Sequence, residues 1–308
     1  MKILVAGGAG FIGSHLVDQL LSEGHQVDVL DNFVTGRKEN INHLFDNSNF
    51  ELIEMDITKN VPDNKYDRIY NLASPASPVD FAKIPIEILL TGSVGQKNLL
   101  DLAEKCGARI LFASTSEVYG DPLVNPQSED YFGNVNCRGA RACYDEAKRF
   151  AEALTVNYQK YRGVQTRTIR IFNTYGPRMA PNDGRVIPNF FMQALNGKSL
   201  SVYGDGKQTR SLCYVSDMVN GMTTLMESDV ILPVNIGNNN EMTIIKIGEM
   251  INELTGNTAD FIYQELPEND PRLRQPDTTR AKELLNWSAK ISADDGLKTT
   301  MEYFKSLL

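Results

Sequence analysis

The chain has 308 residues, 42% hydrophobic and 23% charged, a balance that suits a large α/β core with a smaller lobe and excludes a disordered chain. Its formal net charge of −8 argues against nucleic acid or an anionic membrane surface as a partner. Four cysteines (Cys106, Cys137, Cys143, Cys213) show neither metal spacing nor a paired framework, and the three histidines are scattered, so reduced thiols, no metal site and a cytoplasmic protein are expected.

Lys2 to Ala6 is a short apolar run of the kind that forms a buried parallel strand. Its early start leaves no room for a signal peptide, and no apolar run approaches a membrane span. Gly7-Gly8-Ala9-Gly10-Phe11-Ile12-Gly13 follows at once. At a strand-to-helix junction this Gly-x-x-Gly-x-x-Gly pattern permits a tight turn, lets a pyrophosphate approach the backbone and offers helix N-terminal amides. Gly7, Gly10, Phe11, Ile12 and Gly13 are therefore candidate dinucleotide contacts. A second strand, near 26–30, ends in Asp31-Asn32. Asp31 is placed to hold the adenosine ribose hydroxyls and to repel a 2′-phosphate, favouring NAD over NADP; an aspartate serving only the turn is the competing reading. Asn32, Asp56, Ile57, Leu72 and Ala73 complete the candidate cofactor contacts.

Further strands near 50–54, 67–72 and 109–114 alternate with helical periodicity, which predicts an α/β fold with a doubly wound parallel Rossmann sheet. The strand near 109–114 runs into Ser114-Thr115-Ser116-Glu117. Ligands bind at the carboxyl ends of such strands, so Thr115 or Ser116 is a candidate to hydrogen-bond the substrate oxygen that is oxidised, with Glu117 one step deeper. A polar loop is the alternative. Residues 82–105 and 140–160 read as long helices, and the second carries Tyr144 and Lys148 four residues apart on one face. A lysine beside a tyrosine stabilises the phenolate and lowers a pKa that is otherwise about 10, giving a base able to take a proton from a sugar hydroxyl. That spacing alone also fits a solvated helix face; the strand-end hydroxyls weigh for catalysis.

Residues 164–171 form a further strand. Turn formers then begin at Asn173 and recur at Asn182-Asp183-Gly184-Arg185. Residues 1–175 plus 211–240 are expected to form the NAD-binding domain. Residues 176–210 plus 241–308, with helices near 243–254, 278–286 and 293–306, are expected to form a smaller C-terminal substrate-binding lobe.

The glycine turn, the Ser-Thr-Ser-Glu segment and the Tyr-x-x-x-Lys helix resemble the extended short-chain dehydrogenase/reductase superfamily, whose members act on nucleotide sugars. Longer motifs are similar to the UDP-glucuronate decarboxylases: Ala73-Ser74-Pro75-Ala76-Ser77-Pro78, residues 114–122, Ala140 to Glu146, residues 182–186 and residues 203–211. The likeness runs from Met1 to about Trp287.

The resemblance implies a UDP-sugar substrate, NAD recycled within each turnover, and a homodimer paired through the helices at 82–105 and 140–160. It implies that Tyr144 takes the 4-hydroxyl proton as the C4 hydride leaves, giving a 4-keto sugar. A 4-keto uronate is a β-keto acid, whose carbonyl accepts the electrons released as CO2 departs, so no metal is required. Dehydratases of this superfamily carry an aspartate where Ser116 stands, and the acid for a departing 6-hydroxyl is thus missing. Arg274 falls where the decarboxylase pattern places its catalytic arginine, with Arg272 a competitor. Glu117 is the candidate for positioning the carboxylate and water, or for helping proton delivery. Asn173, Arg185, Asn189, Tyr203, Gln208 and Arg210 are candidate substrate contacts. Two departures stand out. The usual Lys-Thr-Asn triplet reads Leu90-Thr91-Gly92, removing two polar side chains, and the small residue after Glu146, often glycine, is Ala147. The alternatives are a nucleotide-sugar 4-epimerase and an NAD-binding regulator without turnover; the intact Tyr-Lys pair speaks against the latter.

Overall fold

The computed structural model describes residues 1–265 and 273–308. Its centre is a parallel sheet of β1 (Lys2–Ala6), β2 (Gln26–Asp31), β3 (Phe50–Glu54), β4 (Arg68–Asn71), β5 (Arg109–Thr115), β6 (Thr166–Ile171) and, once other elements have intervened, the edge strand Val234–Ile236. From that edge strand the order runs through β6, β5, β4, β1 and β2 to β3. Ala6 pairs with Leu30 on one side and Asn71 on the other, so the order reverses beside β1 and opens a crevice at the strands' carboxyl ends.

Strand residues alternate between two apolar layers. Ile3 and Val5 face a cluster with Leu16, Val17, Met218 and Met222, whereas Leu4 and Ala6 face one with Leu99, Leu102 and Tyr158. Burial on both faces is why these strands read as near-continuous apolar runs.

The crossover helices are α1 (Phe11–Ser22), α2 (Pro78–Phe81), α3 (Pro85–Leu90), α4 (Gln96–Cys106) and α5 (Ala142–Arg162). The helix expected over 82–105 is divided. Pro78 and Pro85 each open a separate helix, where proline's missing N–H costs nothing, and Ile84 breaks the chain between them. A π turn, Thr91–Gly95, then joins α3 to α4. There Thr91 Oγ1 donates to Glu87 O at 2.7 Å and Ser93 Oγ to Leu89 O at 2.7 Å.

The remaining elements are β7 (Thr174–Tyr175), α6 (Val186–Leu195), β8 (Leu200–Tyr203), β9 (Thr209–Ser211), β10 (Cys213–Tyr214), α7 (Val215–Glu227), β11 (Val234–Ile236, the edge strand above), β12 (Glu241–Thr243), α8 (Ile244–Thr255), β13 (Phe261–Gln264), α9 (Thr279–Leu285) and α10 (Ala293–Lys305). Helices α6, α8 and α10 bury Phe190, Phe191, Ile247, Ile251 and Phe304 in a cluster of their own. Ala281, Leu285 and Trp287, within the stretch assigned by sequence to the lobe, pack instead with the sheet. Among the described residues no helix is long and apolar enough to cross a membrane.

Candidate active site

The β1–α1 turn leaves no room for side chains. Gly7 has φ +78°, and a Cβ there would lie 2.7 Å from the Ala73 nitrogen. A Cβ on Gly13 would overlap the Gly7 carbonyl oxygen and sit 2.9 Å from Gly8 Cα. Beside this turn opens a cleft of about 330 Å³ lined by Gly7, Gly10, Asp31, Asn32, Asp56, Ile57, Leu72 and Ala73, all expected from sequence. Helix α1 starts at Phe11, so the amides of its first turn, which have no partners within the helix, lie at the cleft. Asp31 accepts from Ala9 N at 3.0 Å and Phe33 N at 2.9 Å. Burial raises its pKa, opposed by those two amides. A glycine cradle ending in a fixed acid fits a dinucleotide lacking a 2′-phosphate. Sequence reading missed Thr35, Gly36, Ser74 and Glu87 in the same lining, while Leu90 and Thr91, which also line it, belong to the triplet that the resemblance singles out. At Gly36 a Cβ would strike the Asp31 carboxylate.

Tyr144 and Lys148 lie in the first turns of α5, both buried against the end of β5. The lysine ammonium donates to Ala113 O at 2.8 Å and stands 5.7 Å from the Tyr144 ring centre. The expectation that the lysine lowers the phenol pKa is corrected here. Burial pushes Tyr144 up to about 12, with the Thr115 hydroxyl bond opposing and Glu117 adding to the rise. Burial also pulls Lys148 down to about 7, against the pull of Glu152. Desolvation is the largest cause of the shift in both members. Phe81 stacks on Tyr144 with ring centres 5.2 Å apart, and Arg141 lies 5.4 Å over the far ring.

Glu117 is buried in the turn that Thr115 caps, the Thr115 oxygen accepting from Glu117 N at 3.3 Å. Arg274 grips both carboxylate oxygens, Nη1 to Oε1 at 2.5 Å and Nη2 to Oε2 at 2.8 Å, while Arg141 Nη2 reaches Oε2 at 2.8 Å. Burial alone would raise the Glu117 pKa, but the two guanidiniums, with Arg210 beyond them, bring it below the usual range. The neighbouring Asp145 is the reverse: burial and the Glu117 charge push it up to about 7. The structure thus gathers Thr115, Ser116, Glu117, Tyr144, Lys148, Arg210 and Arg274 around the end of β5. Arg185, paired with Asp183 at 2.6 Å, also acts on Tyr144. Sequence reading assigned nothing to Arg141, although it stands in the motif that carries Tyr144.

Other candidates sit differently. Asn173 Nδ2 is buried without a hydrogen-bond partner among the described residues, and Asn189 Nδ2 donates to Gly184 O at 3.1 Å. Gln208 Nε2 donates to Tyr203 O at 2.7 Å, with the Tyr203 ring partly in solvent. Arg272 lies outside the described residues.

The family model described as GDP-mannose 4,6 dehydratase matches residues 4–300. UDP-glucuronic acid decarboxylase 1 of Xenopus tropicalis is 50% identical across 100% of this chain and 73% of its own length. UDP-glucuronic acid decarboxylase 5 of Arabidopsis thaliana is 49% identical across 99% of this chain and 89% of its own. Among solved structures, UDP-glucuronic acid 4-epimerase from Bacillus cereus, in complex with UDP-glucuronic acid and NAD, superposes with a TM-score of 0.90 at 29% identity, covering all of both chains. UDP-glucose 4-epimerase from Thermotoga maritima, with UDP-glucose, reaches 0.91 at 31% identity over 100% of this chain and 99% of its own. Sequence identity is far higher to the decarboxylases than to these epimerases. The chain belongs to the UDP-glucuronic acid decarboxylases, within the wider GDP-mannose 4,6-dehydratase family.

Proposed function

We propose that this enzyme converts UDP-glucuronate to UDP-xylose and CO2 with internally recycled NAD. The observation that carries the reading is the buried Glu117, gripped by Arg274 and Arg141 next to Tyr144. It puts guanidiniums suited to a carboxylate beside a phenol suited to a sugar hydroxyl. NAD held in the cleft beside Gly7, Gly10 and Asp31 would supply the hydride acceptor for C4 and the donor for the closing reduction. The sheet domain holds NAD, and the lobe built on α6, α8 and α10 holds the nucleotide sugar.

Tyr144 acts as the phenolate, the form that the hydrogen bond from the Thr115 hydroxyl favours, and takes the 4-hydroxyl proton as the C4 hydride leaves. The Lys148 ammonium favours the phenolate while this happens. The uronate carboxylate displaces part of Glu117's grip on Arg274 and Arg141. Once C4 is a ketone, the C5–carboxylate bond breaks and its electrons move onto the C4 oxygen. Tyr144 donates a hydrogen bond to that enolate, with Lys148 adding positive charge. Glu117 orders the water from which C5 is protonated. Ser116 offers no acid for losing a 6-hydroxyl, which disfavours dehydration.

The second reading is a 4-epimerase, favoured by the closeness of fold to the Bacillus cereus enzyme. An NMR and mass-spectrometry time course with UDP-glucuronate and NAD separates the two. A UDP-pentose with released CO2 is expected; an isomeric UDP-uronate would establish epimerisation instead. We also assign a homodimer, supported by outward apolar residues on α3 and α5, and a cytoplasmic site of action, supported by four unpaired cysteines.

A further inference from the structure

We infer that Gly92 is a positioning residue for the Tyr144–Lys148 turn of α5. The π turn crosses α5 where Gly92 meets Ala147. A Cβ built on Gly92 would lie 2.7 Å from Ala147 Cβ, 2.9 Å from its carbonyl oxygen and 3.1 Å from its carbonyl carbon. All three atoms are backbone or fixed directly to it, so no side chain can rotate away. Ala147 is buried in one cluster with Tyr144, Phe81 and Ile88. Any side chain at 92 therefore pushes the turn bearing Tyr144 and Lys148 away from β5, where Ala113 O holds Lys148 and the Thr115 hydroxyl holds Tyr144.

The π turn gives this contact its reach, because Leu90 and Thr91, immediately before Gly92, line the cofactor cleft. Placing asparagine at position 92 would displace the catalytic helix rather than supply a polar contact.

The test is a cycle of wild type, Gly92→Asn, Ala147→Gly and the double variant. Each is followed by single-turnover reduction of bound NAD with UDP-glucuronate and, separately, with neutral UDP-glucose. The inference rests on Tyr144 and Lys148 serving hydride transfer, so melting temperatures are measured alongside. G92N should slow reduction on the order of a hundredfold, as a displacement near 1 Å does, while NAD affinity stays within about twofold. Its pH profile should move to higher pH, because Tyr144 loses the Thr115 bond that lowers its pKa while it still faces Glu117, Asp145 and Arg185. A147G alone should cost less than about fivefold; it removes only the Cβ contact and leaves the carbonyl contacts, so the double variant should recover only part of the loss. A G92N as fast as wild type, with the wild-type pH profile, overturns the inference. Gly92→Ala, adding the one methyl, replaces G92N if the latter does not fold. Reduction by UDP-glucuronate without CO2 release would overturn the decarboxylase reading while the cycle still decides the role of Gly92. If neither sugar reduces NAD, the positioning role falls.

Discussion

At the scale of single residues, the site depends on what burial does to Lys148. Its pKa falls to about 7 from an ordinary 10.5, so the protein carries the cost of a desolvated ammonium at and below neutral pH. Because the folded value is depressed, the penalty is complete below pH 7 and fades as pH rises toward 10.5. Lys148→Met should therefore gain stability relative to wild type, by a few kcal/mol near pH 6 and much less near pH 10. Chemical denaturation across that range checks it, and a pH-independent difference would remove the assignment. Glu152 is the opposing charge. It accepts from Arg170 at 2.9 and 2.7 Å and from Ser114 at 2.5 Å. Glu152→Gln should drop the Lys148 pKa further, moving the alkaline limb of the rate profile to lower pH. A second residue test concerns Arg274. Arg274→Gln should cut turnover of UDP-glucuronate on the order of a hundredfold but C4 oxidation of a neutral UDP-sugar under about tenfold. Equal losses would show that Arg274 serves Glu117 alone.

At the scale of elements, the β1–α1 turn is the part most fully specified. A methyl on Gly13 meets the Gly7 carbonyl, and both lie under the approach to the cofactor. Gly13→Ala should weaken NAD binding at least about tenfold in calorimetry while leaving the sheet intact. Unchanged affinity would dissociate the turn from the cofactor. Such turns are legible in sequence because their requirement is local and absolute. Strands β1, β2 and β5 were legible because burial on both faces writes a near-continuous apolar run. What escaped was set by neighbours distant in the chain. Arg141 matters through Glu117, Gly92 through Ala147, and Lys148 through the dryness of its setting, and no spacing rule encodes any of these. The π turn escaped because one inserted residue leaves a helical pattern recognisable on either side. The break before Pro85 was visible in principle, since proline is disfavoured inside a helix.

At the scale of the molecule, the two helical elements that frame the site turn apolar residues outward. Ile86 on α3 is 61% exposed, and on α5 Phe150 and Tyr161 are 52% and 71% exposed. Lys148 faces β5; Phe150, two residues later, lies about 200° around the helix and so points away from the sheet. Apolar residues grouped on two adjacent helices are unusual for a lone soluble chain, and a two-fold partner offering the same pair would cover them. Light scattering should therefore give twice the 34.4 kDa chain mass at micromolar concentration, and Phe150→Glu should give the single-chain mass. The assembly would also bear on catalysis, because α5 carries Tyr144 and Lys148, and α3 ends at Leu90 in the cleft wall. A monomeric Phe150→Glu protein should then melt several degrees lower and reduce NAD more slowly, with its affinity for UDP-sugar little changed. A wild type that scatters as one chain would remove the dimer, and with it this route by which the outer helix faces steady the inner ones.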